Sequence, residues 1–241
     1  GLFLPSKIKR YSQNEIKDLS KLSYSELATE IIFNFCEKDI EKKKLKLLIE
    51  KAYDNFNYKE VVKLKKIGNI NLLELYHGPT LAFKDIAMQV IGNMYEKILE
   101  KNNLKINIVV ATSGDTGAAA ISAIKNRKNI KIFVLHPDNK ITGIQRKFMT
   151  TVVSENVFNI ALDGNFDDCQ NFVKSMFADK NFSDSINMSG VNSINWSRII
   201  AQIVYYFFSY FKINTNNKKI NYSVPTGNFG DIYAGYIAKK M

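Results

Sequence analysis

Ile106-Asn107-Ile108-Val109-Val110-Ala111, followed by Thr112-Ser113-Gly114-Asp115-Thr116-Gly117-Ala118-Ala119-Ala120, is the stretch whose reading decides the fold. A short run rich in β-branched residues breaks into small polar residues and then into an alanine-rich segment. That is a strand, a tight loop and a helix. The same order recurs on both sides. Leu72 to Tyr76 leads into His77-Gly78-Pro79-Thr80 and a helix to about Glu100. Ile130 to Leu135 is a strand closed by His136-Pro137, and Val157 to Leu162 precedes a helix over Asp163 to Phe177. Asn221 to Val224 leads into Pro225-Thr226-Gly227-Asn228-Phe229-Gly230-Asp231 and a last helix. Strands alternating with helices imply an α/β fold of parallel strand–loop–helix units. In such folds ligands collect at the carboxyl ends of strands, so these loops are the places to look.

The first seventy residues read as helical. Ser23-Tyr24-Ser25-Glu26 has capping-box spacing, and Leu27, Ile31, Ile32 and Phe35 continue a helical stripe. Leu45, Leu48, Ile49, Ala52, Tyr53 and Phe56 form a second stripe, backed by Lys42, Lys43, Lys44, Lys46 and Lys51. A lysine run opposite an apolar stripe is a solvated face.

The chain has 241 residues, 46% hydrophobic and 24% charged, which fits a globular protein and excludes a disordered or fibrous one. Its net charge of +11 raises the possibility of a nucleic-acid partner. However, Arg10, Arg127, Arg146 and Arg198 are the only arginines among 34 basic residues. Bidentate contacts to phosphates and bases favour arginine, so the charge reads as surface bias with no nucleic-acid partner. Cys36 and Cys169 lack metal or disulfide spacing, which suggests a reducing compartment and a cytoplasmic protein. The most apolar run, Ile199 to Phe211, has thirteen residues, short of the about 20 a membrane span needs, and no membrane partner is expected.

Four constellations could carry chemistry. Lys84 lies at offsets that put it on one helical face with Leu81, Met88 and Ile91. An amine among apolar neighbours loses its charge more easily and can attack an aldehyde, although a snorkelling lysine gives the same pattern. The Thr112–Gly117 loop and the Thr226–Asp231 loop each open a helix whose free amides suit an anion; ordinary turns remain open. Neither loop matches G-x-G-x-x-G or the P-loop. In the second loop, Asp231 would repel a phosphate unless it caps the helix and points away. Asn192-Ser193-Ile194-Asn195-Trp196-Ser197-Arg198 gathers amides, hydroxyls and an arginine, as an anion loop or a polar helix cap would. No metal site is expected: Asp163, Asn165 and Asp167 mimic a calcium loop, but Asp168 and Lys174 stand where glycine and glutamate belong. His77 and His136 have no partner at metal spacing.

The order of these motifs is more specific than any one of them. F-K-D, A-T-S-G-D-T-G-A-A, N-S-I-N-W-x-R and P-T-G-N-F-G-D-I-Y-A-G in that sequence resemble the threonine synthase family over essentially the whole chain. Asp115 matches the branch with aspartate where other members have asparagine, and Gly1-Leu2-Phe3-Leu4-Pro5 resembles the family's opening. The resemblance implies the tryptophan synthase β-like fold of pyridoxal-phosphate enzymes, preceded by an N-terminal helical segment over 1–72. A pyridoxal-phosphate-binding α/β region would cover 73–241, with a smaller lobe at roughly 90–185 inserted in the larger. It implies that Lys84 bonds pyridoxal 5'-phosphate and then shuttles protons. Gly227, Asn228, Phe229 and Gly230 would cradle the cofactor phosphate, with Asp115 near its ring. Ser113, Gly114 and Thr116 would take the substrate carboxylate, and Asn192, Ser193 and Arg198 the phosphate of O-phospho-L-homoserine. The implied enzyme is a carbon–oxygen lyase making threonine, as a monomer or homodimer.

Two alternatives remain at this point: a serine or threonine dehydratase-like lyase, and a non-catalytic relative binding phosphorylated small molecules. Family chains run well past the glycine loop, so the resemblance further implies a truncated chain with an open pocket and little turnover alone.

Overall fold

The computed structural model describes residues 4–192, 195–213 and 219–241. Three short helices come first: α1 (Gln13–Leu19), α2 (Tyr24–Phe33) and α3 (Lys42–Tyr53). Ser23 and Glu26 form the capping box at α2, and Ser12 and Glu15 form a second one at α1. Leu27, Ile31 and Ile32 on α2 and Leu45 and Ile49 on α3 are fully buried. Each such side chain removed from water contributes about 1.5–3 kcal/mol.

The next element corrects the helical reading of the first seventy residues. Lys63–Ile67 (β1) and Ile70–Glu74 (β2) form an antiparallel hairpin, turned at Gly68, whose φ is +56°. Gly68-Asn69 is a two-residue hairpin turn hidden by a lysine-rich strand with little alternation. The expected strand over Leu72 to Tyr76 therefore ends at Glu74 and pairs antiparallel, not within a parallel crossover unit.

Two compact units follow from the contacts: Gly1–Val90 with Ser193–Met241, and Ile91–Asn192. The division falls within α4 (Lys84–Asn102). The unit over Ile91–Asn192 is a four-stranded parallel sheet. It contains β3 (Ile106–Ala111), α5 (Asp115–Ile124), β4 (Ile130–Pro137), α6 (Gly143–Thr150), β5 (Val157–Leu162), α7 (Phe166–Ala178), α8 (Lys180–Ser185) and β6 (Met188–Ser189). The strand order is β5-β4-β3-β6, and Val110 pairs with Val134 in the β3–β4 register. On one face, Val109 and Leu135 pack with Cys169 of α7. On the other, α5 comes so near that a Cβ at Gly117 would lie 2.9 Å from Val134 Cγ1. Covered on both faces, this sheet is what near-continuous apolar strands require.

In the other unit, α9 (Trp196–Ile213) supplies the apolar run, with Ile199, Ile203 and Val204 all buried. Tyr24 makes edge contacts with Tyr53 and Phe208, which ties α2, α3 and α9 together. No helix among the described residues is long and apolar enough to cross a membrane. α10 (Gly230–Lys240) packs on α9 through Gly235, where a Cβ would come within 2.8 Å of the Tyr206 ring. The expected strand over Asn221 to Val224 is not paired; no neighbouring strand in this unit offers it a ladder among the described residues.

Gly235→Val would force Tyr206 out of its packed position and lower stability by about 1–3 kcal/mol in urea unfolding. An unchanged midpoint would mean that α10 does not seat on α9 through this glycine.

Candidate active site

The lysine loop is built around one buried carboxylate. Asp85 is fully buried, and its Oδ2 accepts the Thr80 N–H at 2.8 Å while its Oδ1 accepts the Thr80 hydroxyl at 2.7 Å. The same side chain lies on Gly78, where an added Cβ would be 2.4 Å from Asp85 Cβ, so only glycine fits. Lys84 is then the first residue of α4, half-buried, with Nζ 4.7 Å from the centroid of the Phe83 ring. Met88 and Ile91, one and two turns on, are buried as expected. Leu81 is not part of the stripe: it precedes the helix with φ +58° and is exposed.

Just upstream, His77 Nε2 lies 3.2 Å from Glu74 Oε2, and its ring tilts against those of Tyr58 and Tyr76. Burial opposes ionisation of Glu74, but hydrogen bonds from Tyr76 and His77 and the charge of Lys63 outweigh it and hold the carboxyl below its ordinary pKa.

At the start of α5, Thr112 Oγ1 accepts two amides, from Gly114 and Gly117, both at 2.9 Å. The amides of Ser113 and Thr116 donate to no group among the described residues. Gly114 sits at φ +138°, a conformation open to glycine. Asp115 Oδ1 accepts from Gln145 Nε2 at 2.7 Å. Ser113, Gly114, Asp115 and Thr116 thus stand together as one loop.

The α10 loop repeats the lysine loop's plan. Asp231, 9% exposed, takes the Thr226 hydroxyl and the Ile232 N–H, the latter at 2.9 Å. Its charge is engaged inside the loop, which removes the objection its sequence position raises against a phosphate. The amides of Gly227, Asn228, Phe229 and Gly230 donate to no group among the described residues. Phe229 is left-handed at φ +54°, and a Cβ on Gly227 would meet nothing within 4 Å. Unbonded amides at a helix start around open space fit an anion.

Arg198, on the first turn of α9, is 1% exposed, and burial lowers its guanidinium pKa to about 10 against the raising effect of Tyr205. Asn195 Oδ1 accepts the Ser197 N–H at 2.9 Å and starts the helix. Asn192 is exposed, and Ser193 lies outside the described residues. Lys84, Arg198 and Gly227 to Gly230 belong to one unit, and Ser113 to Thr116 and Asn192 to the other. The Asn165 side chain caps α7 with Asp168 in a capping box. No group of three or more metal-ligating side chains occurs among the described residues.

Sequence reasoning missed two features. Pro79-Thr80-x-x-Phe83-x-Asp85 and Pro225-Thr226-x-x-Phe229-x-Asp231 are the same P-T-x-x-F-x-D pattern, and the shared spacing is a readable signal. Gln145, thirty residues from Asp115, carries no local signal.

Residues 60–241 match the family described as pyridoxal-phosphate dependent enzyme, and residues 1–53 match the threonine synthase N terminus. The chain belongs to the pyridoxal-phosphate dependent enzyme family. Within it, the threonine synthase of Pseudomonas aeruginosa is 44% identical across 100% of this chain and 52% of its own length. That of Saccharomyces cerevisiae is 44% identical across 100% of this chain and 50% of its own. Among solved structures, a pyridoxal-phosphate-bound threonine synthase from Brucella melitensis superposes with a TM-score of 0.93 at 43% identity. It covers 100% of this chain and 52% of its own. The chain spans about half the length of the curated relatives it matches.

Thr80→Val and Thr226→Val each keep the side-chain shape but take one hydrogen bond from a buried aspartate. Each is expected to cost about 1–3 kcal/mol in urea unfolding. Losses below about 0.5 kcal/mol would show that these contacts do not hold the loops.

Proposed function

We propose that this chain carries the cofactor-binding machinery of a threonine synthase. The reaction would convert O-phospho-L-homoserine and water into L-threonine and phosphate. The observation that carries the reading is the α10 loop, with four backbone amides unbonded at a helix start and a glycine opening onto free space. It fits the phosphate of pyridoxal phosphate, and the family match and threonine synthase relatives point the same way.

Bound pyridoxal phosphate supplies an electron-withdrawing ring that stabilises negative charge on a carbon next to its amine. Lys84 would hold the cofactor through its amine and, once displaced, take and return the proton at the substrate Cα. Gly227, Asn228, Phe229 and Gly230 would hold the cofactor phosphate, and Asp115 would lie beside the ring. The unbonded amides of Ser113 and Thr116, with Gly114 between them, suit the substrate carboxylate. Asn192, Ser193 and Arg198 would bind the substrate phosphate; a buried guanidinium makes a strong anion ligand. In the overall change the Cγ–O bond breaks and phosphate leaves. Cβ gives up one proton and takes the hydroxyl of water, and Cγ takes up a proton to become the methyl group. The chain's part is to orient those bonds. We read Ile91–Asn192 as the smaller, inserted lobe.

Adding O-phospho-L-homoserine to the cofactor-loaded chain should shift its visible absorption at concentrations at least about tenfold below those L-homoserine requires. Equal responses would remove the substrate-phosphate subsite. Ketobutyrate formed from L-threonine, with no response to phosphohomoserine, would instead favour the dehydratase-like lyase.

A further inference from the structure

Gln145 is the third residue of α6, whose cap is Thr142. Thr142 Oγ1 accepts the Gln145 backbone N–H at 3.3 Å, and its own proton is then free to go to Gln145 Oε1 at 2.9 Å. The Asp115 carboxylate, which only accepts, settles the amide orientation and leaves Gln145 Oε1 facing the Thr142 hydroxyl. With its oxygen facing Thr142, the Gln145 side chain presents its NH2 to Asp115 Oδ1 at 2.7 Å. The stem reaches Asp115 by crossing Gly114, where a Cβ would come within 2.6 to 2.9 Å of Gln145 Cδ, Cβ and Cγ. The glycine of the S-G-D-T motif thus leaves room for a side chain thirty-one residues away.

We infer that Gln145 is a positioning residue that fixes the Asp115 carboxylate in one rotamer at the start of α5. The inference rests on the assignment of Asp115 to the cofactor site. An ionised carboxylate can only accept, so a donor is required. A neutral amide supplies that donor without cancelling the charge, as lysine or arginine would. Threonine, glutamine and aspartate form a relay in which each orients the next, from the cap of α6 to the first residue of α5.

The test is a titration of the 241-residue chain with pyridoxal phosphate, following the visible band. Gln145→Leu should weaken binding about tenfold, Asp115→Ala by a similar factor, and the double variant no more than Asp115→Ala alone. Gln145→Glu sets a second carboxylate against the first, so binding should weaken, and the deficit relative to the parent at the same pH should shrink as the pH is lowered and the pair takes up a shared proton. Full cofactor affinity in Gln145→Leu despite a lower melting temperature would overturn the inference, as would penalties that add in the double variant. If the leucine variant does not fold, Gln145→Asn, one methylene short of Asp115, stands in with the same expectation. In the cofactor-free chain, the Gln145 side-chain NH2 signal should follow the titration of Asp115 and lose that response in Asp115→Asn; a signal that never responds would overturn the contact. If the parent takes up no cofactor while that NMR coupling is present, it is the proposed function that fails, and the inferred role falls with it.

Discussion

A buried aspartate bonded to a threonine five residues before it is the constraint on which the loops that open α4 and α10 both depend. Burying a carboxylate costs several kcal/mol unless hydrogen bonds replace the lost water. Asp85 meets that demand with both the hydroxyl and the amide of Thr80, and Asp231 with the Thr226 hydroxyl and the Ile232 amide. In each case the loop cannot open without stranding a charge. The loop backbone is therefore held rigid at the point where a strand or extended segment turns into a helix. Lys84 starts one of those helices, and the unbonded amides of Gly227 to Gly230 start the other.

The α5 loop solves the same problem with a neutral group. Thr112 takes the amides of Gly114 and Gly117 and leaves those of Ser113 and Thr116 open. Rigid loops with selected donors left unbonded are how a fold prepares for anions without paying reorganisation at the moment of binding. Charge follows the same division. The carboxylates of Asp85 and Asp231 are buried and engaged within their own loops, while Asp115 is only partly buried and held by an amide.

Much of this is legible in the sequence where local rules dominate. β3 and β5 have the boundaries their apolar runs predict, and the Ser23–Glu26 capping box starts α2. The family resemblance is read correctly because four ordered motifs carry it. The β1–β2 hairpin is obscured because Lys63, Lys65 and Lys66 dilute the alternation, and the Gly68-Asn69 turn is the only cue. Ser12 and Glu15 give the same capping signal as α2 and mark α1 just as clearly. Asn221 to Val224 has a strand's composition, yet a strand exists only where a neighbour completes its hydrogen bonds. The aspartate–threonine ties are written in the repeated P-T-x-x-F-x-D. The contact of Gln145 with Asp115 depends on how α5 and α6 pack, which no local pattern encodes.

We propose that the amine at the start of α4 is the one that captures the cofactor's aldehyde. Borohydride reduction of the chain mixed with pyridoxal phosphate, followed by digestion and mass mapping, tests it directly. A single reduced pyridoxyl adduct on Lys84 is expected. An adduct on another of the many lysines, or no stable adduct at all, would contradict it.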